Sequence, residues 1–87
     1  MNAATVIEQR LRATLSPEQI EIRDDSAQHA GHAGAREGGH FHVRIVSPAF
    51  AVLSPVQRHR RIYEALGDLK QAGIHALSLE ALAPGEH

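Results

Sequence analysis

Cysteine is absent from the 87-residue chain, and so is tryptophan. Without Cys there can be no disulfide scaffold, no thiol nucleophile and no Cys-ligated zinc finger. An unstapled small domain also suits a reducing cytosol better than an oxidising exterior. Aromatic residues amount to two Phe and one Tyr, too few for a surface that stacks bases. An excess of one charge is missing as well: nine Lys and Arg stand against ten Asp and Glu, a formal net charge of −1. Tight nucleic-acid binders draw most of their affinity from neutralised phosphates and are distinctly basic, so this balance counts against strong DNA binding overall. No apolar run approaches the ~20 residues that span a bilayer, and no basic-then-apolar leader opens the chain. The expectation is a soluble, cytoplasmic protein with no membrane partner, built as a single domain over 1–87.

What is present is a succession of short amphipathic segments. From Ala3 to Leu15, Val6 or Ile7, Leu11 and Leu15 recur at helical spacing, with Glu8, Gln9, Arg10 and Arg12 turned mainly to water. Pro17 breaks that pattern, and Ile20 to Arg23 alternates as a short strand. In "HFHVRIV", Phe41, Val43 and Ile45 share one face while His40, His42 and Arg44 share the other. "SPAF" suits a single helical turn. The main helix is predicted from Ser54 as N-cap, with Pro55 in the first helical position, to a stop at Gly73. Its inward stripe would run through Val56, His59, Ile62 or Tyr63, Leu66 and Leu69 or Lys70, which makes His59 a core-facing or capping residue. A last strand opens at His75 and places Leu77 and Leu79 on one face, with 83–87 as a tail. The order helix, strand, strand, helix, strand packs most simply as an α+β two-layer sandwich, both helices on one face of a three-stranded sheet.

Between the first two strands lies a flexible loop, 26–39, rich in Gly and His. The stretch "HAGHAGAREGGHFH" carries His29, His32, His40 and His42, four of the seven histidines. Loops of this length in small domains are functional or disordered. Two readings stand at this point: a metal site, and a solvated loop that is merely rich in imidazole. His40 and His42 project from the outward face of a strand and are expected to be solvated; with His29 or His32 they could also chelate adventitious zinc or nickel. No Ser, Asp and His pattern supports a catalytic triad, so no hydrolytic or other enzymatic activity, and no catalytic residue, is expected.

"FHVRIVSPAFAVLSPVQRHRRIYEAL" followed by "IHAL" resembles the BolA family, and the resemblance covers nearly the whole chain. It rests on the strand ending Val46-Ser47, the Phe50 to Ser54 spacing, Arg58-His59-Arg60 with Tyr63 behind it, and His75-Ala76. Two departures are visible: Val52 stands where the family usually has Gly, and the Trp often found near the family's C-terminus is missing from "APGEH".

The resemblance implies an αββααβ fold similar to the class II KH module. It also implies pairing with a monothiol glutaredoxin and a shared [2Fe–2S] cluster. In that arrangement the glutaredoxin Cys and the thiol of bound glutathione supply two ligands. A His at the start of the last strand and a His or Cys of the first interstrand loop supply the others. Carried onto this chain, the strand ligand is His75. The loop ligand in the Ser-x-x-His pattern Ser26 to His29 is His29, with His32 as the substitute. Neutral imidazole is a suitable iron ligand, and a Cys-free chain is expected to hold no such cluster in isolation. The free form is expected as a monomer or weak homodimer. The alternative function is a DNA-binding transcriptional regulator using Arg58, Arg60, Arg61 and Lys70 on the main helix. Against it stand the near-neutral charge and the lack of the GXXG loop with which KH modules grip a nucleic-acid backbone.

Overall fold

The computed structural model describes residues 3–25 and 39–86. They form α1 (Ala3–Leu15), β1 (Gln19–Asp24), β2 (Gly39–Val46), a 3-10 turn (Pro48–Phe50), α2 (Pro55–Leu66) and β3 (Ile74–Leu82). The three strands make one sheet in the order β1-β2-β3, with β1 antiparallel and β3 parallel to β2. A parallel neighbour cannot be reached by a hairpin, so the chain must cross over between β2 and β3, and α2 is that crossover. This is the α+β architecture expected from the pattern of segments. Among the described residues no helix is long and apolar enough to cross a membrane.

The core forms where three apolar stripes meet. Ile7, Leu11 and Leu15 come from α1, Phe41, Val43 and Ile45 from β2, and Ile62 and Leu66 from α2, with Phe50 of the 3-10 turn completely buried among them. Ile20 and Ile22 of β1 and Leu77 and Leu79 of β3 cover its sides. Buried polar groups at the helix ends are satisfied. Ser47, fully buried, donates its hydroxyl to the Leu15 carbonyl at the end of α1 and accepts from the Ala49 N–H. Arg10 donates to the Leu66 carbonyl, one of the last carbonyls of α2 with no helical partner. At the start of α2, Ser54 and Gln57 cap each other reciprocally, Gln57 N–H to Ser54 Oγ at 3.2 Å and Ser54 N–H to Gln57 Oε1 at 2.9 Å.

Two expectations about α2 are corrected. The helix ends at Leu66, not at Gly73. Gly67 takes a φ of 71°, which an L-residue resists, and Asp68 then opens a separate turn by accepting the Gln71 N–H at 3.2 Å. The inward stripe keeps Ile62 and Leu66 as expected but differs in its first turns, where Arg58 replaces Val56 and His59. Arg58, Ile62 and Leu66, each four apart, lie inward, whereas Val56 is 61% exposed and His59 is exposed. A long arginine stem can line a core provided its head finds partners, and Arg58 finds them.

Candidate functional site

β2 and β3 start at the same end of the sheet, and their first residues are out of step. Gly39 pairs with Ile74 but His40 pairs with Ala76, so His75 is an extra residue on β3. Such a bulge breaks the two-residue alternation and re-aims a side chain. His75 therefore does not join Leu77 and Leu79 on the core face, as simple alternation predicts. It is exposed, and its ring lies beside that of His40, centroids 5.1 Å apart and planes inclined at 48°. The main chain around the pair is tied down. The Asp25 N–H donates to the His40 carbonyl at 2.7 Å, the Gly39 N–H donates to the Gly73 carbonyl at 2.8 Å, and Ile74 is buried in the core. Leu69, Lys70, Ile74 and His75 line a depression of about 330 Å³ next to the pair. Lys70 thus belongs to this corner, beyond the end of α2.

His29 and His32 lie outside the described residues. His40 was missed as a site residue because alternation along β2 marks it only as outward-facing. The available signal was that it is the second residue of β2, directly after the glycine pair, as His75 is the second residue of β3. Its neighbour on the same face, His42, is half-buried and meets Ser78 through Nδ1 and Oγ at 3.1 Å. Farther along, Arg44 faces Glu80 at 3.7 Å and pairs in register with Glu21. Among the described residues no group of three or more His, Asp or Glu side chains is gathered for a metal ion.

The four basic residues named for a nucleic-acid surface are not one surface. Arg58 is committed internally, its side chain only 11% exposed. Its Nε donates to the Leu53 carbonyl at 3.0 Å and one terminal nitrogen to the Ala81 carbonyl at 3.1 Å. Both terminal nitrogens also bond the Glu86 carboxylate. This pairing, helped by the Ala83 N–H, holds the Glu86 carboxyl down at about 2, and the same bond raises the Arg58 guanidinium above its ordinary value. Arg60 and Arg61 are exposed and border a shallow groove with Leu53, Gln57 and Glu64.

Comparison with known proteins identifies the family and agrees with the fold. The family model described as BolA-like protein matches residues 11–86. SufE-like protein 1, chloroplastic/mitochondrial, of Arabidopsis thaliana is 45% identical over 92% of this chain, which spans only 23% of that relative's length. The DNA-binding transcriptional regulator BolA of Haemophilus influenzae is 35% identical over 99% of this chain and 82% of its own. Among solved structures, BolA1 from Arabidopsis thaliana is similar with a TM-score of 0.82 at 36% identity, covering 100% of this chain and 98% of that one. The chain belongs to the BolA-like family.

Proposed function

We propose that this protein is an interaction partner of a monothiol glutaredoxin and helps to hold a [2Fe–2S] cluster at the shared interface, for cluster assembly, trafficking or iron sensing. The observation that carries the reading is the exposure of His75 at the rim of the sheet, where a partner can reach its imidazole. The chain has no Cys, so thiolate ligands must come from another molecule, and imidazole nitrogen is the iron donor its histidines can offer. His75 is the strand ligand in this reading and His29, or His32 in its place, the loop ligand. Asp25, which precedes that loop in sequence, and Gly39, its last residue, are both bonded into the corner that His75 occupies. A cluster with imidazole in place of thiolate on one iron has a raised reduction potential, which is the chemistry such a group would supply.

The test is reconstitution of the mixed complex from this protein, a monothiol glutaredoxin, glutathione, iron and sulfide under anaerobic conditions. The visible spectrum of the wild-type complex should differ from that of glutaredoxin alone, and His75→Ala should abolish the difference. An identical spectrum with the variant removes His75 as a ligand.

A second reading is DNA binding through α2. It draws on the name of the Haemophilus influenzae relative and on the adjacent exposed guanidinium groups of Arg60 and Arg61. The internal bonding of Arg58 reduces the basic surface available to it.

A further inference from the structure

We propose that β1 is a self-pairing edge: two copies of this chain join β1 to β1, antiparallel about a two-fold axis at Ile22, and extend the three-stranded sheet to six strands. This goes beyond the glutaredoxin reading and does not depend on it, since His75 stands on β3, the opposite edge of the sheet.

The two edges are finished differently. Natural sheets protect an edge with bulges, Pro or Lys, charged side chains, or a group that covers it. β3 is protected in this way: the register shift at His75 interrupts its start, and Arg58 occupies the Ala81 carbonyl at 3.1 Å near its end. β1, "QIEIRD", carries no Pro, Lys or Gly, and its pairing with β2 runs from Gln19 to Asp24 without a shift. The Asp25 N–H bond to the His40 carbonyl fixes the parity of that ladder. Odd-numbered residues of β1 bond to β2, so the N–H and C=O groups of Ile20 and Ile22 point out of the sheet, with no partner strand among the described residues. The side chains of Ile20 and Ile22 are only half-buried, so α1 leaves this border of the core partly uncovered.

The charges on β1 select a second copy as the occupant. With Ile22 opposite Ile22 of the second copy, the outward-pointing backbone groups exchange hydrogen bonds at the axis. Glu21 then comes opposite Arg23 of the second copy, and Arg23 opposite its Glu21. Directly opposed residues of an antiparallel pair have Cβ atoms about 4.5–5.5 Å apart, and opposite charges there attract. Glu21 is exposed and takes part in none of the ion pairs made by the described residues. Arg23 has a side chain 69% exposed and gives Asp25 two of its N–H groups, at 2.8 and 3.3 Å, which leaves others for a second carboxylate. The register is discriminated as well. Sliding the second strand by two residues, the smallest slip that keeps the hydrogen-bonding parity, sets Glu21 against Glu21 or Arg23 against Arg23. Both are repulsive.

This contact is isologous and closes on itself, so it makes a dimer and no filament. One strand pair buries less than the ~1,200 Å² of a standard interface, so the dimer should come apart on dilution. Its outer edges are the two β3 strands, five strand spacings or about 24 Å apart, and both His75 corners stay open to other proteins.

The experiment follows the untagged full chain by sedimentation velocity and amide NMR from about 10 µM to about 1 mM, the range in which so small an interface is populated. The sedimentation coefficient should rise toward that of a dimer. The amide resonances of Ile20 and Ile22 should shift with concentration more than those of Glu21 and Arg23, because only the outward amides gain a bond. No concentration dependence, or shifts centred on β3 or α2, overturns the proposal. Glu21→Arg and Arg23→Glu each place like charges in both opposed pairs and should weaken self-association about tenfold. An equimolar mixture of the two single variants restores both opposite-charge pairs and should associate as the wild type does, as should the double variant Glu21→Arg/Arg23→Glu. Undiminished association of either single variant, or no rescue in the mixture, also overturns it. Circular dichroism checks that each variant is folded; where one is not, the amide alternation in the wild type decides. No glutaredoxin, iron or sulfide is present, so a negative result leaves the cluster reading untouched, and failed cluster reconstitution leaves this one untouched.

Discussion

Arg58 and Glu86 join the first half of α2 to the C-terminal turn through a two-pronged ion pair, with one N–O contact at 3.0 Å and a second, shorter one. The Glu86 carboxyl titrates at about 2 in the folded chain against an ordinary 4.5. A carboxylate whose pKa is depressed by folding stabilises the fold above its unfolded value, and that contribution fades as the pH falls through the folded one. Glu86→Gln should therefore lower the melting temperature at neutral pH. The gap between wild type and variant should close between pH 4.5 and about 2, where the wild-type carboxyl also becomes neutral. Melting curves followed by circular dichroism across that range would check it; a gap independent of pH would show that the pair contributes nothing through its charge.

Ser47 tests the joint between α1 and the 3-10 turn. Its hydroxyl is fully buried, bonded to the Leu15 carbonyl and to the Ala49 N–H. Ser47→Ala leaves both backbone groups without that partner in a place water does not reach, which should cost about 1–3 kcal/mol in urea unfolding. A loss below about 0.5 kcal/mol would mean that the backbone relaxes to satisfy them in another way.

Val52, like Ser16, takes a positive φ that an L-residue opposes, and it is β-branched. Its φ is 63° and its side chain is fully exposed. The left-handed region costs an L-residue roughly 1–2 kcal/mol, and the greater freedom of unfolded glycine returns about 0.5–1 kcal/mol of that. Val52→Gly should thus stabilise the protein by about 0.5–1 kcal/mol, while Val52→Ala, which keeps Cβ, should gain little. Equal gains from both variants would point to relief of the exposed apolar side chain instead of the backbone.

Periodicity made most of the fold legible and part of the site invisible, for identifiable reasons. Ile7, Leu11 and Leu15 on α1, and Phe41, Val43 and Ile45 on β2, are buried as their spacing predicts, because nothing competes with the apolar choice there. On α2 an apolar search selects Val56 and passes over Arg58, since a guanidinium counts as outward. Only the carbonyls of Leu53 and Ala81 and the carboxylate of Glu86, far along the chain, make its inward position tolerable. The His40–His75 contact escaped for a related reason. Alternation assigns a strand residue to one face or the other, and the register shift at Gly39 is set by pairing between strands, which one strand's pattern does not contain. The resemblance in "RHR" and "IHAL" located His75 without placing its neighbour.

The basic face of α2 gives a bounded expectation for nucleic acid. With Arg58 bonded inward and Lys70 at the far corner beside His75, Arg60 and Arg61 are the adjacent guanidinium groups left on that face for phosphates. Each phosphate contact on duplex DNA adds about −0.9 to the slope of log affinity against log salt, so binding through this face should show a slope near −2. Replacing both residues, in Arg60→Ala/Arg61→Ala, should flatten it, by about one unit for each contact removed. Arg58→Ala should instead lower the melting temperature, because it strips the partner from Glu86 and from two backbone carbonyls. Fluorescence anisotropy with a short duplex at several salt concentrations measures the slope. A steep slope that survives the double variant would move any DNA contact away from α2 and leave that helix without the role its arginines suggest.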